Sequence, residues 1–469
     1  MTTRRSGSIA PRRMAGAFLL LFVGSLLPAC SRADATTPTI LMIVTDDQRW
    51  DTLWAMPNVQ RRLVQKGITF QNAFVTTPLC CPSRASLLTG NYSHTTGVWA
   101  NGGPLGGFHR FPDRSTVATW LQGAGYETAL FGKYLNRYEG TYVPPGWNRW
   151  AAIGRATDPY DLYYRYTLNV DGRLKSFGTR PADHSLNVLT AEAFAYILRT
   201  KGPLFVYFAP YTPHTPVKPS PEDRDRFARL PFQTPRSFDE ADVSDKPRWV
   251  QRLPRLDAAA RARLETRYRR VPASLLGLDR AVGALLEALR VTGRLDDSLI
   301  VLTSDNGIHL GEHRWTDKGT PYEESIRVPL VIRYDRAIKR PRRDSNLVLN
   351  VDLAPTLAEV GGARPPATDG SSLVPLLRSP GAPWRDHFLI EQVRLFEVPA
   401  YCAIRSRRFS YVRYSTGEEE LYDLASDPHQ LENLANNGAT ARVLYRLSSR
   451  RDQLCKPGPP NTGTTTPAE

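Results

Sequence analysis

The stretch PTILMIVTDD, residues 38–47, indicates the fold because it is an unbroken apolar run that ends in two acids. A strand that is covered on both faces shows such a run, whereas a half-exposed strand alternates apolar and polar residues. Helical periodicity separates this run from similar later ones, most clearly at 183–199 and 257–291. The later runs are YETALFGKY (126–134), PLFVYFAP (203–210), SLIVLTSDNG (298–307) and VPLVIRY (328–334). The alternation predicts an α/β fold with a large, mostly parallel mixed sheet flanked by helices on both faces.

Polar side chains follow the apolar runs at the edge where such sheets bind ligands, outside the carboxyl ends of the strands. Carboxylate and amide oxygens at this edge suit a hard cation, Ca²⁺ or Mg²⁺, rather than a metal that seeks thiolates. Acids at the end of one strand are as often plain loop or cap residues, but two pairs at one edge favour the metal. The polar residues are Asp46, Asp47, Lys133, His214, Asp305 and Asn306.

The stretch TTPLCCPSRASLLTG, residues 76–90, holds two adjacent cysteines, Cys80 and Cys81. Pro82 suits the first turn of a helix and Gly90 its end, so Cys80 is predicted to lie just before a helix N-terminus. There the thiol, and any anion bound nearby, would meet the positive end of the helix dipole. Adjacent cysteines lack the spacing of a zinc site, and an inert buried thiol is the alternative interpretation.

Three predicted segments follow the N-terminal region. Residues 36–383 form the α/β domain, in which 215–256 lacks periodicity and is predicted to be a long surface loop bordering the site. Residues 384–455 hold short, partly alternating β-rich runs, which predict a smaller subdomain with an antiparallel sheet. Residues 456–469 are predicted to be a disordered tail.

Residues 1–30 have the composition of an export signal. Arginines precede the apolar run AGAFLLLFVGSLLPA (15–29), which is too short to span a bilayer comfortably. The run leads into Cys30, and LLPAC resembles a bacterial lipoprotein cleavage box, so lipid on Cys30 would anchor the chain to a membrane. Cleavage after Ala35 is the alternative, and Arg12-Arg13 leaves twin-arginine export open. The protein is predicted to be exported to the cell envelope or beyond.

The charge of the chain favours anionic partners. Its 469 residues carry +15, and residues 1–30 hold four arginines and no acid, which leaves +11 on the remainder. Such an excess attracts anions, but the basic residues are scattered and form no nucleic-acid-binding module. Sulfated or phosphorylated glycans, acidic lipids or small anions are therefore expected, and nucleic acid is not. Five cysteines make no disulfide scaffold, although Cys402 and Cys455 could pair in an oxidising compartment.

The segment Cys80-Cys81-Pro82-Ser83-Arg84, with LLTG following, resembles the C-x-P-S-R signature of the sulfatases. The resemblance covers nearly the whole chain after the signal, and GKYLNRYEGTYVPPGWNRW (132–150) is similar to the glucosamine-6-sulfatase and heparan-type endosulfatase branch. Other motifs follow in the family's order: TDD (45–47), GKYLN (132–136), PHTP (213–216), SDNGIHLGEHRW (304–315), DKGTPYEESIRVPLVI (317–332) and EEELYDLASDPHQLENLA (418–435).

The resemblance implies a sulfuric ester hydrolase whose Cys80 is converted to formylglycine by a formylglycine-generating enzyme. A hydroxyl of the hydrated aldehyde would attack sulfur, and the second hydroxyl would help to expel sulfate. One Ca²⁺ would lie beside the modified Cys80 and assist the reaction. The implied substrate is a sulfated small molecule or glycan, such as a 6-sulfated amino sugar. By the same resemblance, the Ca²⁺ ligands are Asp46, Asp47, Cys80, Asp305 and Asn306.

The resemblance also implies roles for the basic side chains. Arg84 would steady the hydrate, Lys133 and Lys318 would hold the sulfate as point charges, and His214 would bind sulfate or help to protonate the leaving oxygen. Without their motifs, a lone lysine is usually solvated and a lone histidine structural. A further group of residues is kept as substrate-shell or turn candidates: His94, His309 and His313 near the substrate, and Gly132 and Gly307 in tight turns.

One position departs from many arylsulfatases, which carry K-x-H where this chain has Lys133 and then Leu135. The two-histidine proton scheme is therefore in doubt, and Asn136 is an alternative contributor. A broad arylsulfatase, or a phosphate or phosphonate ester hydrolase of the same fold, is the alternative activity. A catalytically inactive polyanion-binding surface protein is the alternative from another class.

Overall fold

A ten-stranded sheet forms the centre of the fold, and its strands include the apolar runs of the sequence. The computed structural model describes residues 1–3, 7, 37–156 and 161–460. Apart from residues 1–3 and 7, the predicted signal with Cys30 lies outside the described residues, as do the site after Ala35 and 461–469 of the predicted tail. The strands are β1 Ile40–Thr45, β2 Ile68–Phe74, β3 Glu127–Gly132, β4 Arg149–Ala156, β5 Tyr166–Val170, β6 Arg173–Ser176, β7 Leu204–Ala209, β8 Leu299–Ser304, β9 Leu330–Arg333 and β10 Arg342–Leu349.

The strand order is β10-β2-β9-β8-β1-β7-β3-β4-β5-β6. Neighbours from β8 to β4 are parallel, as are β10 and β2. Strand β9 is antiparallel to both of its neighbours, and β5 and β6 continue the sheet in antiparallel pairs. The prediction of a mostly parallel mixed sheet is confirmed, and every residue of β1, β7 and β8 is buried.

Helices cover both faces of the sheet. On one face Ile40, Met42 and Val44 of β1 lie in a core with α2, α4 and α9; on the other face Leu41 and Ile43 pack with α5 and α7. Among the described residues, no helix combines the length and apolarity needed to cross a membrane. The α-helices are α1 Pro57–Val59, α2 Cys80–Thr89, α3 Ser93–Thr96, α4 Val117–Gly123, α5 Ser185–Arg199, α6 Arg248–Gln251, α7 Ala258–Val291, α8 Glu323–Ile326, α9 Leu353–Val360, α10 Val374–Arg378 and α11 Ala441–Leu454.

A second, four-stranded antiparallel sheet follows, as the sequence predicted. It consists of β11 His387–Gln392, β12 Tyr401–Ser406, β13 Phe409–Tyr414 and β14 Glu419–Asp423, paired in that order. One face shares a core with Phe74 and Tyr322 of the large domain, and the other packs against α11. A disulfide between Cys402 and Cys455 joins β12 to the end of α11, so the pairing that the sequence left open is present.

The segment 215–256 differs from the predicted surface loop. It is mostly irregular, but it contains α6, and Trp249 and Val250 are buried in the core that the two sheets share. The loop is therefore anchored by apolar side chains, a feature that its Pro- and Arg-rich composition conceals.

Candidate active site

Four neighbouring parallel strands bring the predicted polar residues to one edge of the large sheet. Asp305 and Asn306 follow β8, Asp46 and Asp47 follow β1, His214 lies five residues beyond β7, and Lys133 follows β3. The expected convergence is therefore present. The close approach of backbones explains two glycines: a Cβ on Gly132, whose φ is +123°, would meet the Ala209 carbonyl, and one on Gly307 would meet the Glu324 carbonyl.

Cys80 is the first residue of α2, whereas the sequence predicted that it would lie just before the helix. Leu79 is extended and its carbonyl accepts from Ser83 N at 3.0 Å, while Gly90 ends the helix in the left-handed region at φ 73°. All ten residues of α2 are buried. The Cys80 Sγ accepts from Lys318 Nζ at 2.9 Å and lies 3.7 Å from Asp46 Oδ1. Cys81 instead belongs to the hydrophobic core, and burial raises the pKa of each thiol to about 12.

Arg84 joins three parts of the site from within α2. Its Nε donates to Asp305 Oδ2 at 2.8 Å, its Nη1 donates to the Lys133 carbonyl at 3.0 Å, and its Nη2 lies 3.5 Å from Asp46 Oδ2. Its side chain is wholly buried. Burial lowers the pKa of the guanidinium, but Asp305 and Asp46 more than offset this effect, so the pKa is raised and the charge is retained.

The two predicted sulfate-binding lysines rest on the acids. Lys133 Nζ donates to Asp46 Oδ2 at 2.7 Å, and Lys318 Nζ donates to Asp47 Oδ1 at 2.6 Å. Burial lowers both lysine pKa values, but the carboxylates outweigh burial and raise them. Burial likewise opposes ionisation of Asp47, yet Lys318 holds the pKa of that carboxyl well below its usual range. The formal charges of the cluster sum to zero, because three acids face three bases: Asp46, Asp47 and Asp305, and Arg84, Lys133 and Lys318.

His214 faces the same cluster. Its Nδ1 lies 2.6 Å from the Thr215 carbonyl, so Nδ1 donates, and its Nε2 lies 3.5 Å from Asp47 Oδ2. The ring packs against Tyr211 with centroids 4.5 Å apart. Burial lowers the pKa of His214 to about 3, which makes the imidazole neutral near neutral pH.

The chemistry of the donors fits a hard divalent cation. One atom each of Asp46, Asp47, Cys80 and His214 lies within 4.8 Å of the others. Asn306 Nδ2 donates to Asp47 Oδ1 at 2.6 Å, while its Oδ1 is buried without a hydrogen-bond partner among the described residues. An acceptor that is buried and unpaired in this way is suited to a cation. Asp305 is more engaged, since its Oδ1 accepts from Asp47 N at 3.1 Å and its Oδ2 from Arg84.

The remaining histidine candidates have structural partners. His94 Nδ1 lies 2.8 Å from Glu391 Oε2, and His309 Nε2 lies 2.7 Å from Thr320 Oγ1. His313 stacks on Tyr322 and its Nδ1 lies 2.7 Å from Glu240 Oε2. These contacts pack His309 and His313 against neighbouring segments, and both side chains are buried. Leu135 and Asn136 follow Lys133 closely in the sequence. Leu135, which replaces the histidine of many arylsulfatases, packs in the hydrophobic core, and Asn136 is buried.

Arg267 on α7 is a residue of the site region that the sequence did not reveal. Its Nη1 lies 3.4 Å from the Thr316 carbonyl, two residues before Lys318. It is close enough to Asp47 to help lower the pKa of that carboxyl, after the larger effects of Lys318 and His214. The sequence offers one signal for Arg267, which is its helical spacing from Arg263 and Arg270. The other arginines of the same helix obscure that signal.

Comparisons with known proteins agree with this geometry. The family model described as Sulfatase matches residues 38–363, and the one described as N-sulphoglucosamine sulphohydrolase, C-terminal, matches 311–456. Human N-acetylglucosamine-6-sulfatase is 32% identical over 402 residues, which are 80% of this chain and 71% of that protein. The extracellular sulfatase SULF-1 homolog of Drosophila melanogaster is 35% identical over 372 residues, 76% of this chain but 33% of the fly protein. This chain thus spans a third of the length of that relative.

A solved structure is also similar over almost the whole chain. The structure of BT4656 in complex with its substrate D-glucosamine-2-N,6-O-disulfate superposes with a TM-score of 0.77 at 25% identity, covering 90% of this chain and 98% of that one. The fold shared with this structure and the matched family model place the chain in the alkaline-phosphatase-like class of ester hydrolases. Within that class the chain belongs to the sulfatase family. The predicted resemblance, including its glucosamine-6-sulfatase branch, is confirmed, as is the assignment to a family of sulfuric ester hydrolases.

Proposed function

We propose that this protein hydrolyses the sulfate ester of a sugar, such as a 6-sulfated amino sugar, and releases inorganic sulfate. One observation carries the proposal: Cys80 Sγ lies at the start of a helix, 2.9 Å from Lys318 Nζ and 3.7 Å from an Asp46 oxygen, where four parallel strands end. The relatives named for N-acetylglucosamine 6-sulfate, and the structural relative bound to a glucosamine disulfate, support a sulfated amino sugar as substrate.

The nucleophile is proposed to be formylglycine made from Cys80 by a formylglycine-generating enzyme. A buried thiol with a pKa of about 12 is protonated at neutral pH and is a poor nucleophile. The hydrated aldehyde supplies one hydroxyl to attack sulfur and a second to assist the release of sulfate. Arg84 fixes this end of α2 against Asp305 and the Lys133 carbonyl, and so orients position 80.

The basic side chains would bind the sulfate group. Lys133 approaches position 80 from the end of β3 and Lys318 from the long connection between β8 and β9. Both would stabilise charge on sulfate oxygens as it changes during the reaction. His214 is neutral, its Nδ1 proton is held by the Thr215 carbonyl, and its Nε2 lies toward the cluster. His214, whose Nε2 lies 3.5 Å from Asp47 Oδ2, is proposed to bind the sulfate group or to help to protonate the leaving oxygen.

The proposed cofactor is one Ca²⁺ beside position 80, with Asp46, Asp47, Asp305 and Asn306 as its protein ligands. When bound, this ion supplies positive charge that neutralises sulfate oxygens and orients the nucleophile. The buried, unpaired Oδ1 of Asn306 supports its inclusion in the ligand set.

Export to the cell envelope is part of the proposal. The basic and apolar segments of residues 1–30 support it, and so does the Cys402–Cys455 disulfide, which is typical of oxidising compartments. The mass of the mature N-terminus tests the lipid anchor: lipid-modified Cys30 is expected, whereas a chain that starts at Thr36 would establish free secretion.

The catalytic proposal is tested by mass spectrometry and by kinetics on one preparation. Protein from a host with a formylglycine-generating enzyme is alkylated after denaturation, and the tryptic peptide GITFQNAFVTTPLCCPSR, residues 67–84, is examined. We expect formylglycine at position 80 and an alkylated Cys81. Cys80→Ala should abolish sulfate release from glucosamine 6-sulfate, whereas the matched Cys81→Ala should retain it.

Three results would contradict the proposal in different ways. If both thiols alkylate despite a competent modifying enzyme, Cys80 is not the nucleophile precursor. If formylglycine forms but a phosphate ester is cleaved faster than the sulfate ester of the same alcohol, the reaction is phosphate ester hydrolysis. If formylglycine and Ca²⁺ are present and sulfated glycans bind tightly without turnover, the protein is an inactive polyanion-binding protein.

A further inference from the structure

An open groove lies beside the candidate active site, between the first half of α7 and the chain that follows His214. Its volume is about 720 Å³. Thr215 and Pro216 line it directly after His214, and Thr316 lines it two residues before Lys318. Residues that line the groove therefore lie within two positions, in the sequence, of two proposed sulfate-binding residues, His214 and Lys318.

Positive charge dominates the lining of the groove. It includes five arginines and one acid, Asp257, which is occupied as the cap of α7 because its Oδ1 accepts from Ala260 N. Arg255 is paired with Asp239, and Arg314 donates to three backbone carbonyls of the neighbouring loop. These two arginines stabilise the fold. The other three are Arg263, Arg267 and Arg270.

The three remaining arginines form a row along one face of α7. Positions i, i+4 and i+7 lie on the same side of a helix, and seven residues advance roughly 10 Å along its axis. Arg263 and Arg270 are exposed to solvent. Arg267 lies between them, and its Nε is buried without a hydrogen-bond partner among the described residues.

Arg267 links the row to the catalytic cluster. Its Nη1 contacts the Thr316 carbonyl on the loop that carries Lys318, and its charge acts on Asp47. An anion in the groove would thus lie beside the segment that carries Lys318, although neither sulfate-binding lysine lines the groove. Arginine is well suited to this task, since its planar fork matches sulfate and carboxylate groups.

We propose that the α7 arginine row, Arg263, Arg267 and Arg270, binds further sulfate or carboxylate groups of the substrate. The substrate then carries at least two anionic groups, of which one is cleaved at position 80. This inference rests on the proposed function for the identity of the cleaved group. Single-stranded nucleic acid fits less well, because none of the described residues that line the groove is aromatic, and such ligands stack on aromatic side chains.

The test compares two variants with equal loss of charge. Arg263→Gln with Arg270→Gln removes the exposed ends of the row, and Arg442→Gln with Arg446→Gln removes two exposed arginines of α11 as a control. Each formylglycine-containing protein is assayed for kcat/KM on glucosamine 6-sulfate and on a heparin-derived tetrasaccharide that carries several sulfates. The kcat/KM on the tetrasaccharide divided by the kcat/KM on glucosamine 6-sulfate should fall about tenfold in the row variant. The fall should come mainly from a higher KM for the tetrasaccharide. A ratio within twofold of the wild-type value would overturn the inference.

A binding measurement keeps the inference testable if the proposed function fails. Unconverted protein, which retains Cys80, is titrated calorimetrically with the same tetrasaccharide. The row variant should bind about tenfold more weakly than the wild type and the α11 variant. Equal affinity of the row variant and the wild type would overturn the inference whatever the catalytic result. Equal displacement of the tetrasaccharide by a single-stranded DNA of matched charge would overturn the assignment to a glycan.

Discussion

The buried guanidinium of Arg84 should contribute more to stability than any exposed arginine that makes the same type of contact. Arg84→Met keeps the apolar part of the side chain and removes the charge that pairs with Asp305 and Asp46. The side chains of all three residues are wholly buried. Breaking a buried ion pair by removing one partner costs about 3–5 kcal/mol, because the other charge stays buried and uncompensated. The midpoint of urea unfolding should therefore fall by on the order of 1 M.

The matched control is Arg408→Met. Arg408 also presents its fork to one carboxylate, that of Asp423, but its side chain is 63% exposed. Water can solvate both partners after the change, so the expected loss is about 0–1 kcal/mol. Both variants are unfolded in urea in the presence of a chelator, with circular dichroism and tryptophan fluorescence as independent probes, so that bound cations do not compensate for the lost charge.

A third variant separates charge from geometry. Arg84→Lys keeps the charge but cannot reach Asp305 and the Lys133 carbonyl with two nitrogens at once, so an intermediate loss is expected. If Arg84→Met costs no more than Arg408→Met, the reasoning from burial is refuted. Arg84 would then contribute to the reaction alone, not to the stability of the fold.

Three further predictions concern other parts of the molecule. Lys318→Met should lower kcat/KM on a sulfate ester at least about 100-fold at equal formylglycine content, because its Nζ contacts position 80; unchanged steady-state kinetics would contradict this. Cys402→Ala with Cys455→Ser opens a cross-link across 53 positions and should cost about 4 kcal/mol in denaturant, a difference that should vanish when both proteins are reduced. Burial raises the pKa of Glu240 to about 7, so its ionisation disfavours the folded state as pH rises from about 4.5 through 7. Glu240→Gln should therefore raise Tm relative to the wild type more at pH 8 than at pH 5. A larger gain at pH 5 would show that the predicted sign is wrong.

The central strands and the catalytic edge were predictable because their signals are local. A run such as 40–44 is apolar at every position only if both faces are covered, and the acids that follow it at 46 and 47 lie where parallel strands end. The helices at 183–199 and 257–291 begin and end within two residues of the prediction. Strand direction has no comparable signal: the run at 328–334 looks like its neighbours, yet β9 is antiparallel.

Features that depend on distant partners could not be predicted. Trp249 anchors the segment 215–256 by packing against Trp315 and Tyr322, and Val250 lies in the same core. No local pattern of the sequence records these contacts. The position of Arg267 beside the site depends on how α7 packs against the sheet, and its sequence neighbours include several other arginines. The Cys402–Cys455 pair needed the register of β12 and the docking of α11, since spacing alone does not fix a connectivity.

If Cys80 is modified as proposed, the burial of α2 sets an order of events for this protein. Once the helix has docked, Cys80 has no exposed surface, and all the other residues of its helix through Thr89 are buried. An enzyme that modifies Cys80 must therefore reach the chain while this segment is still extended, in competition with folding. Molecules that fold first would keep an unreactive thiol for as long as they stay folded, so the fraction of active protein would record the outcome of a race during biosynthesis rather than an equilibrium of the finished molecule.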